Sequence, residues 1–258
     1  LWTKRYLMEI LAHRGRASPD KLGNSENDFM SCYHLGVDWI EADACLTADK
    51  KVIIYHPGST RPDLSKMTWQ EIDNSIFKIL DLNSFLMLLR AFRDIKCCLD
   101  IKQNSKELVR KLVENIIRTG MQDKIYLTAF QKNNRLFGIE SDGQLLLQAK
   151  RICPKIKTHL IVTWPFNIAK LVQLYKPNAI SLGWLLEPIL VRLISRARFK
   201  ILAGSRDLKR QIREVQKMNI KVWAGICNSS EDMRYFADLG VDGIMTDNSK
   251  ILIDLAKN

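Results

Sequence analysis

Eight short apolar runs recur along the chain, at residues 7–13, 37–44, 95–101, 125–130, 159–164, 179–183, 221–227 and 243–246. Between most of them the apolar residues switch to helical spacing. In residues 105–119, Leu108, Leu112, Val113 and Ile116 share one face while Lys106, Arg110 and Lys111 lie elsewhere. Residues 205–218 repeat the pattern with Leu208, Ile212 and Val215, and residues 231–239 and 250–256 read as further helices. Strands that alternate with helices run parallel, because each helical crossover returns the chain to the same end of the sheet. Eight such units predict an α/β chain folded as a TIM (β/α)8 barrel, one domain over residues 1–258. A doubly wound open sheet is the alternative. A ninth run, 52–56, follows the second strand across Thr47-Ala48-Asp49-Lys50, which suits a hairpin, so it is read as an excursion outside the eight. Residues 67–93 read as helices forming a short insertion between the second and third strands.

Composition narrows the function classes. Hydrophobic residues are 47% and charged residues 26%, which excludes a disordered chain. No apolar run approaches the ~18 residues of a membrane span, and the greasiest, 184–194, is broken by Glu187, Pro188 and Arg192. No leader pattern is read, and the chain begins at Leu1. Six cysteines form no CxxC pair, which argues against a zinc ribbon. They are expected as reduced thiols, and the compartment as cytoplasmic. The net charge of +12 favours anionic partners such as phosphate esters, acidic lipid surfaces or nucleic acid. Aromatics do not interleave with the basic stretch, so nucleic acid is not expected. Between Arg192 and Arg213 the Lys and Arg residues face a single acid, Asp207. There, Ile189, Leu190, Leu193 and Ile194 have two readings: the barrel-facing side of an outer helix, or a rim that touches an anionic membrane.

A TIM barrel carries its chemistry at the C-terminal ends of its strands. The first strand ends in His13-Arg14-Gly15, the second carries Glu41-Ala42-Asp43, the excursion ends at His56, and the third strand ends in Asp100-Ile101-Lys102. Residues i and i+2 of a strand point to one face, so Glu41 and Asp43 reach a common point, and Asp100 can join them from the next strand. Crowded carboxylates repel unless a cation lies between them, and three oxygen donors suit Mg²⁺ or Ca²⁺ better than zinc. His13 and His56 titrate near neutrality and can form an acid–base pair. Arg14 and Lys102 offer charge for a phosphate. His34, in a predicted helix, and His159, in a strand with no acidic neighbour, read as structural. Together the set suits cleavage of a phosphodiester.

These residues resemble the glycerophosphodiester phosphodiesterase family of the phospholipase-C-like barrels. The motifs run Ala12-His13-Arg14-Gly15, Ser25-Glu26-Asn27, Gly36 through Ile40-Glu41-Ala42-Asp43, Thr47-Ala48-Asp49, Val52 through His56, Leu99-Asp100-Ile101-Lys102, and Gly240 through Thr246-Asp247. The resemblance implies His13 and His56 as catalytic, Glu41, Asp43 and Asp100 as ligands of a divalent cation, and Arg14 and Lys102 on the phosphate. It implies hydrolysis of small glycerophosphodiesters to sn-glycerol 3-phosphate and an alcohol. Four departures stand out. Pro57 follows His56 where the family has Asp, and Asp100 stands where the family has Glu. Gly225 stands where the family has Trp, with Trp223 two residues earlier on the same face as a candidate to fill the space. The segment between His56 and Asp100 is short. Asp100 and Pro57 are similar to the sphingomyelinase D branch, so lysophospholipase D or sphingomyelinase-D-like cleavage of lipid headgroups is the second reading. A non-catalytic binder of phosphate or nucleic acid is the third.

Overall fold

The computed structural model describes residues 8–60, 62–132, 140–163, 167–185 and 189–257. Eight parallel strands close into a ring: β1 (Glu9–Ala12), β2 (Trp39–Leu46), β4 (Lys96–Ile101), β5 (Ile125–Phe130), β6 (Lys157–Val162), β7 (Ala179–Leu182), β8 (Lys221–Ala224) and β9 (Gly243–Thr246). Closure comes from β1, which pairs with β2 on one side and β9 on the other. The fold is a TIM barrel. The excursion is β3 (Val52–Ile54), antiparallel to the end of β2 and outside the ring.

Alternation explains the interior. On β2, Ile40, Ala42 and Ala44 join the cluster between strands and helices, while Trp39, Glu41 and Asp43 occupy the alternate positions. The lower interior is aromatic: Trp39 lies 4.8 Å from both Trp223 and Tyr126, centroid to centroid. Trp223 donates from Nε1 to Glu9 Oε2 at 2.8 Å. The buried polar groups collect above this plug, at the strands' C-terminal ends.

Ten helices surround the ring among the described residues: α1 (Glu26–Leu35), α2 (Trp69–Asp73), α3 (Leu82–Ala91), α4 (Lys106–Arg118), α5 (Gly143–Ile152), α6 (Ile168–Tyr175), α7 (Ile189–Ser205), α8 (Leu208–Gln216), α9 (Ser230–Leu239) and α10 (Ser249–Lys257). Caps fix their starts. Ser25 accepts from Asp28 N, and Ser105 accepts from Leu108 N. Helix α4 buries Leu108, Val109, Leu112, Val113 and Ile116, the face its spacing announced.

Several boundaries differ from expectation. His13 leaves the strand and sits in a short 3-10 turn, His13–Gly15. Ser205 ends α7 rather than opening the next helix, because Asp207 takes a left-handed conformation (φ 47°) and caps α8 through Arg210 N. Residues 7 and 164, the outer ends of two expected strands, lie outside the described residues. Helix α7 packs on the barrel through Ser195, Phe199 and Ala203, so Ile189, Leu190, Leu193 and Ile194 are not the barrel-facing side; all four are exposed. The six cysteines are free, and five are buried. Among the described residues, no helix is long and apolar enough to cross a membrane.

Candidate active site

The turn after β1 builds the first wall. Arg14 and Gly15 both take positive φ (54° and 64°), and a Cβ on Gly15 would collide with the Phe29 ring of α1. This tight turn sends the Arg14 N–H to Glu41 Oε2 at 2.8 Å. It also turns His13 toward the end of the neighbouring strand β9, where Nδ1 lies 2.7 Å from Asp247 Oδ1. An ionised carboxylate only accepts, so His13 Nδ1 carries the proton and Nε2 is left open, 3.8 Å from Glu41 Oε2. Asp247 is itself held: Asn228 Nδ2 donates to Oδ2 at 2.6 Å, and Arg16 donates to Oδ1 at 2.8 Å. Burial alone would raise the Asp247 carboxyl; the His13 bond reverses this and holds it below the usual range. Burial lowers His13, and Asp247 only partly offsets that.

Register brings the acids together. Asp43 on β2 stands opposite Asp100 on β4, and Glu41 lies two residues below Asp43. One oxygen from each of Glu41, Asp43 and Asp100 lies within 4.8 Å of the others, and all three residues are buried. Lys102 Nζ reaches Asp43 Oδ1 at 2.8 Å and Asp100 Oδ2 at 2.6 Å, Arg14 Nε lies 3.2 Å from Asp43 Oδ2, and Asn24 Nδ2 donates to that oxygen at 2.7 Å. Burial would raise Asp43, but Lys102 and Arg14 hold it ionised and low. Glu41 and Asp100 go the other way, raised first by burial and then by the charge on Asp43. Two nearby cations therefore leave the three carboxylates under-neutralised. Asp100 Oδ1 is buried and has no hydrogen-bond partner among the described residues. That orphaned oxygen, within an all-oxygen donor set, is what a divalent cation would satisfy, so the residues fit one.

His56 lies just past β3, at the cleft edge. Burial pushes its imidazole down to about 4. Pro57 follows it, and among the described residues no side chain hydrogen-bonds its ring. The two histidines thus differ in support: His13 is oriented by a carboxylate and His56 by packing alone.

All of this lines one cleft of about 540 Å³. One wall is polar, with His13, Arg14, Glu41, His56, Asp100 and Lys102. The opposite wall carries apolar Phe130, Ile161, Val162, Trp184, Leu185 and Ile226, interspersed with polar Thr128, Glu140, Ser141, Thr163 and Ser181. The seven residues expected from sequence therefore converge on one site, Asp43 just beneath the surface of the cleft. His34 sits in α1 away from it. His159 is buried below the cleft between Thr128 and Ser181, its Nε2 2.5 Å from Ser181 Oγ, in keeping with a structural role.

Sequence reasoning missed three residues of the site. Asn24, one residue before the expected Ser25-Glu26-Asn27, is the one that reaches Asp43; Ser25 caps α1 and Asn27 is exposed. Asp247 lay inside the quoted Gly240–Asp247 stretch without a role, and Asn228 stands just past the expected strand 221–227. Trp223 does not fill the space above Gly225, because it belongs to the aromatic plug. There is little space to fill: a Cβ on Gly225 would lie 2.6 Å from Met245 Cβ and 3.0 Å from Met245 O, and a Cβ on Gly183 would meet the Gly225 carbonyl. Close backbone packing of β7, β8 and β9 excludes a Trp there.

A family model for glycerophosphoryl diester phosphodiesterases matches residues 13–251, from the first site histidine to beyond Asp247. The chain belongs to that family. Members are phosphoric diester hydrolases, and so is this chain. Among curated relatives, this diesterase is similar to lysophospholipase D GDPD1 of Mus musculus, 22% identical over 300 aligned residues covering 99% of this chain and 88% of that one. Its fold is that of a glycerophosphodiester phosphodiesterase of Parabacteroides distasonis (13% identity, TM-score 0.73, 98% of this chain and 99% of that one). It is shared too by a phosphodiesterase of Oleispira antarctica in complex with the product sn-glycerol-3-phosphate (15% identity, TM-score 0.73, 98% and 97% covered).

Proposed function

We propose that this diesterase hydrolyses glycerophosphodiesters to sn-glycerol 3-phosphate and an alcohol, with His13 and His56 moving the protons. The observation that supports this most is the His13–Asp247 pair, which fixes one tautomer and presents Nε2 beside the buried carboxylates. Arg14 and Lys102 bind the phosphate of the substrate. A glycerol hydroxyl next to the phosphate attacks phosphorus, one imidazole takes its proton, and the other protonates the departing alcohol oxygen as the P–O bond breaks. Water then opens the cyclic phosphate with the proton roles reversed. Glu41, Asp43 and Asp100 would hold a divalent cation, Mg²⁺ or Ca²⁺, which would supply a Lewis acid against the phosphate charge. Burial lowers both imidazoles, and the single negative charge of the phosphodiester pushes back against that on arrival, favouring the protonated form that the departing alcohol requires.

The test is release of sn-glycerol 3-phosphate from glycerophosphocholine and glycerophosphoethanolamine with Mg²⁺, Ca²⁺ or EDTA. EDTA-sensitive release is expected, and His13→Ala is expected to lose at least ~10²-fold in turnover while staying folded. Turnover in His13→Ala equal to that of the unaltered chain would overturn the assignment.

A second reading has its own observation. The apolar wall from Phe130 to Trp184 faces the polar wall across the cleft. Such a cleft suits an amphipathic diester, and a lysophospholipid keeps the free glycerol hydroxyl that the mechanism needs. Choline release from lysophosphatidylcholine exceeding that from glycerophosphocholine would favour this reading; the reverse order would reject it.

A further inference from the structure

Helix α7 carries five exposed large hydrophobic side chains, more than any other element among the described residues. Ile189 and Leu190 are each 66% exposed, Leu193 55%, Ile194 52% and Ile201 70%. At about 100° per residue these positions fall on one stripe, opposite Ser195, Phe199 and Ala203, which hold the helix to the barrel. A stripe of five large aliphatic side chains turned to solvent is not a packing need of this fold, since the barrel contact is already made by the other face. The helix begins just after β7, at the C-terminal end of the ring where the cleft opens. Trp184 and Leu185 of the apolar cleft wall lie four to five residues before its first turn. Leu22, 76% exposed on the loop after β1, stands at the same end of the barrel.

Charge identifies the occupant. From Arg192 to Arg213 the chain carries eight basic residues and one acid, Asp207, within a molecule of net charge +12. Arg192 is exposed one turn from the stripe, and Arg196 lies against the Trp184 ring while pairing with Glu231 and Asp232. An apolar stripe bordered by cations matches the interface of an anionic membrane, where acyl chains take the stripe and headgroups face the cations. A helix of 17 residues with this many charges lies in the interface and does not span.

We infer that α7 docks this chain onto anionic phospholipid surfaces, with the cleft mouth turned to the lipid. The inference adds a partner to the proposed diesterase and rests on that reading only for its purpose, which is access to diesters released at or held in a membrane. Its test needs no turnover. The 258-residue chain is sedimented with vesicles of diacyl phosphatidylcholine alone and with added phosphatidylserine, in low and high salt. Binding is expected with phosphatidylserine in low salt and is expected to weaken at high salt. Leu190→Glu with Leu193→Glu is expected to reduce it at least ~10-fold, and Arg192→Gln by a smaller factor. Both lie on the exposed side, so circular dichroism and hydrolysis of soluble glycerophosphocholine report whether the fold and the site persist. No sedimentation with either vesicle, or binding unchanged by the Leu190 and Leu193 substitutions, overturns the inference. So does a dimer that those substitutions dissociate without any vesicle binding, which would assign the stripe to a second copy of the chain. Absence of hydrolysis by the unaltered chain with vesicle binding intact would instead count against the diesterase proposal alone.

Discussion

At the residue scale the site depends on which groups are held and by what. His13 has a carboxylate partner, and His56 has none among the described residues. Asp247→Asn keeps the shape of the side chain but presents either a weaker acceptor or a donor to His13 Nδ1, so the wrong tautomer competes. The expected result is a kcat lower by ~10²-fold or more with divalent-ion binding by calorimetry unchanged, because Asp247 lies outside the carboxylate cluster. A kcat equal to that of the unaltered chain would remove Asp247 from the mechanism. That Glu41, Asp43, Asp100, His13 and His56 come together was legible in the sequence, because i, i+2 spacing on a strand and the ends of adjacent strands are local properties. Asp247 was not, because its meaning arises only when the ring closes and joins positions 234 residues apart. Asn24 was missed for a related reason: it stands just before the quoted Ser25-Glu26-Asn27, and in a loop no periodicity says which residue turns inward.

At the level of elements, the turn after β1 is the most constrained piece. It needs positive φ at two successive residues and no side chain against Phe29. Gly15→Ala is expected to cost more than the ~1 kcal/mol of an ordinary left-handed glycine, because Phe29 must also move. Urea unfolding measures the loss, and a midpoint equal to wild type would show that α1 yields freely. Helix α7 shows where element-level reading reaches its limit. Its sequence has apolar residues on both sides, and helical period alone does not say which side meets the barrel. Phe199 with Ser195 and Ala203 wins because small residues let the helix approach closely while one aromatic fills the gap beside Trp184, 5.5 Å between centroids.

For the molecule as a whole, the pattern of eight runs pointed to the barrel and left a doubly wound sheet as the alternative, since parallel strands linked by helices have few ways to hide both faces. It did not specify how the interior is divided into an aromatic plug below and a charged floor above. That division has an acid-stability consequence. His159, fully buried, is pushed down to about 3 and His56 to about 4, with His13 lowered as well. In the unfolded chain all three return toward 6.5. As pH falls through 6.5 the unfolded state takes up protons first, so stability declines from there down to the folded values. Glu41 and Asp100, raised by burial, act in the opposite direction; their part stays the same in a variant of His159, so comparing the two proteins isolates that residue. In EDTA, the urea midpoint is expected to drop between pH 7 and about pH 4.5, and the drop is expected to shrink in His159→Gln. Equal drops in both proteins would dismiss His159 as a source.

The ribbon formed by β2 and β3 has a consequence for how such a barrel diversifies. His56 follows a strand that lies outside the ring, whereas the acids and His13 belong to the ring strands or to the turn that directly follows one. Changes in residues 57–80 leave every ring hydrogen bond intact, so the length and chemistry of that segment can drift while the carboxylate floor stays fixed. A lineage built on this plan can exchange substrates by rewriting one appendage, and the histidine it carries ties each new cover to the same chemistry.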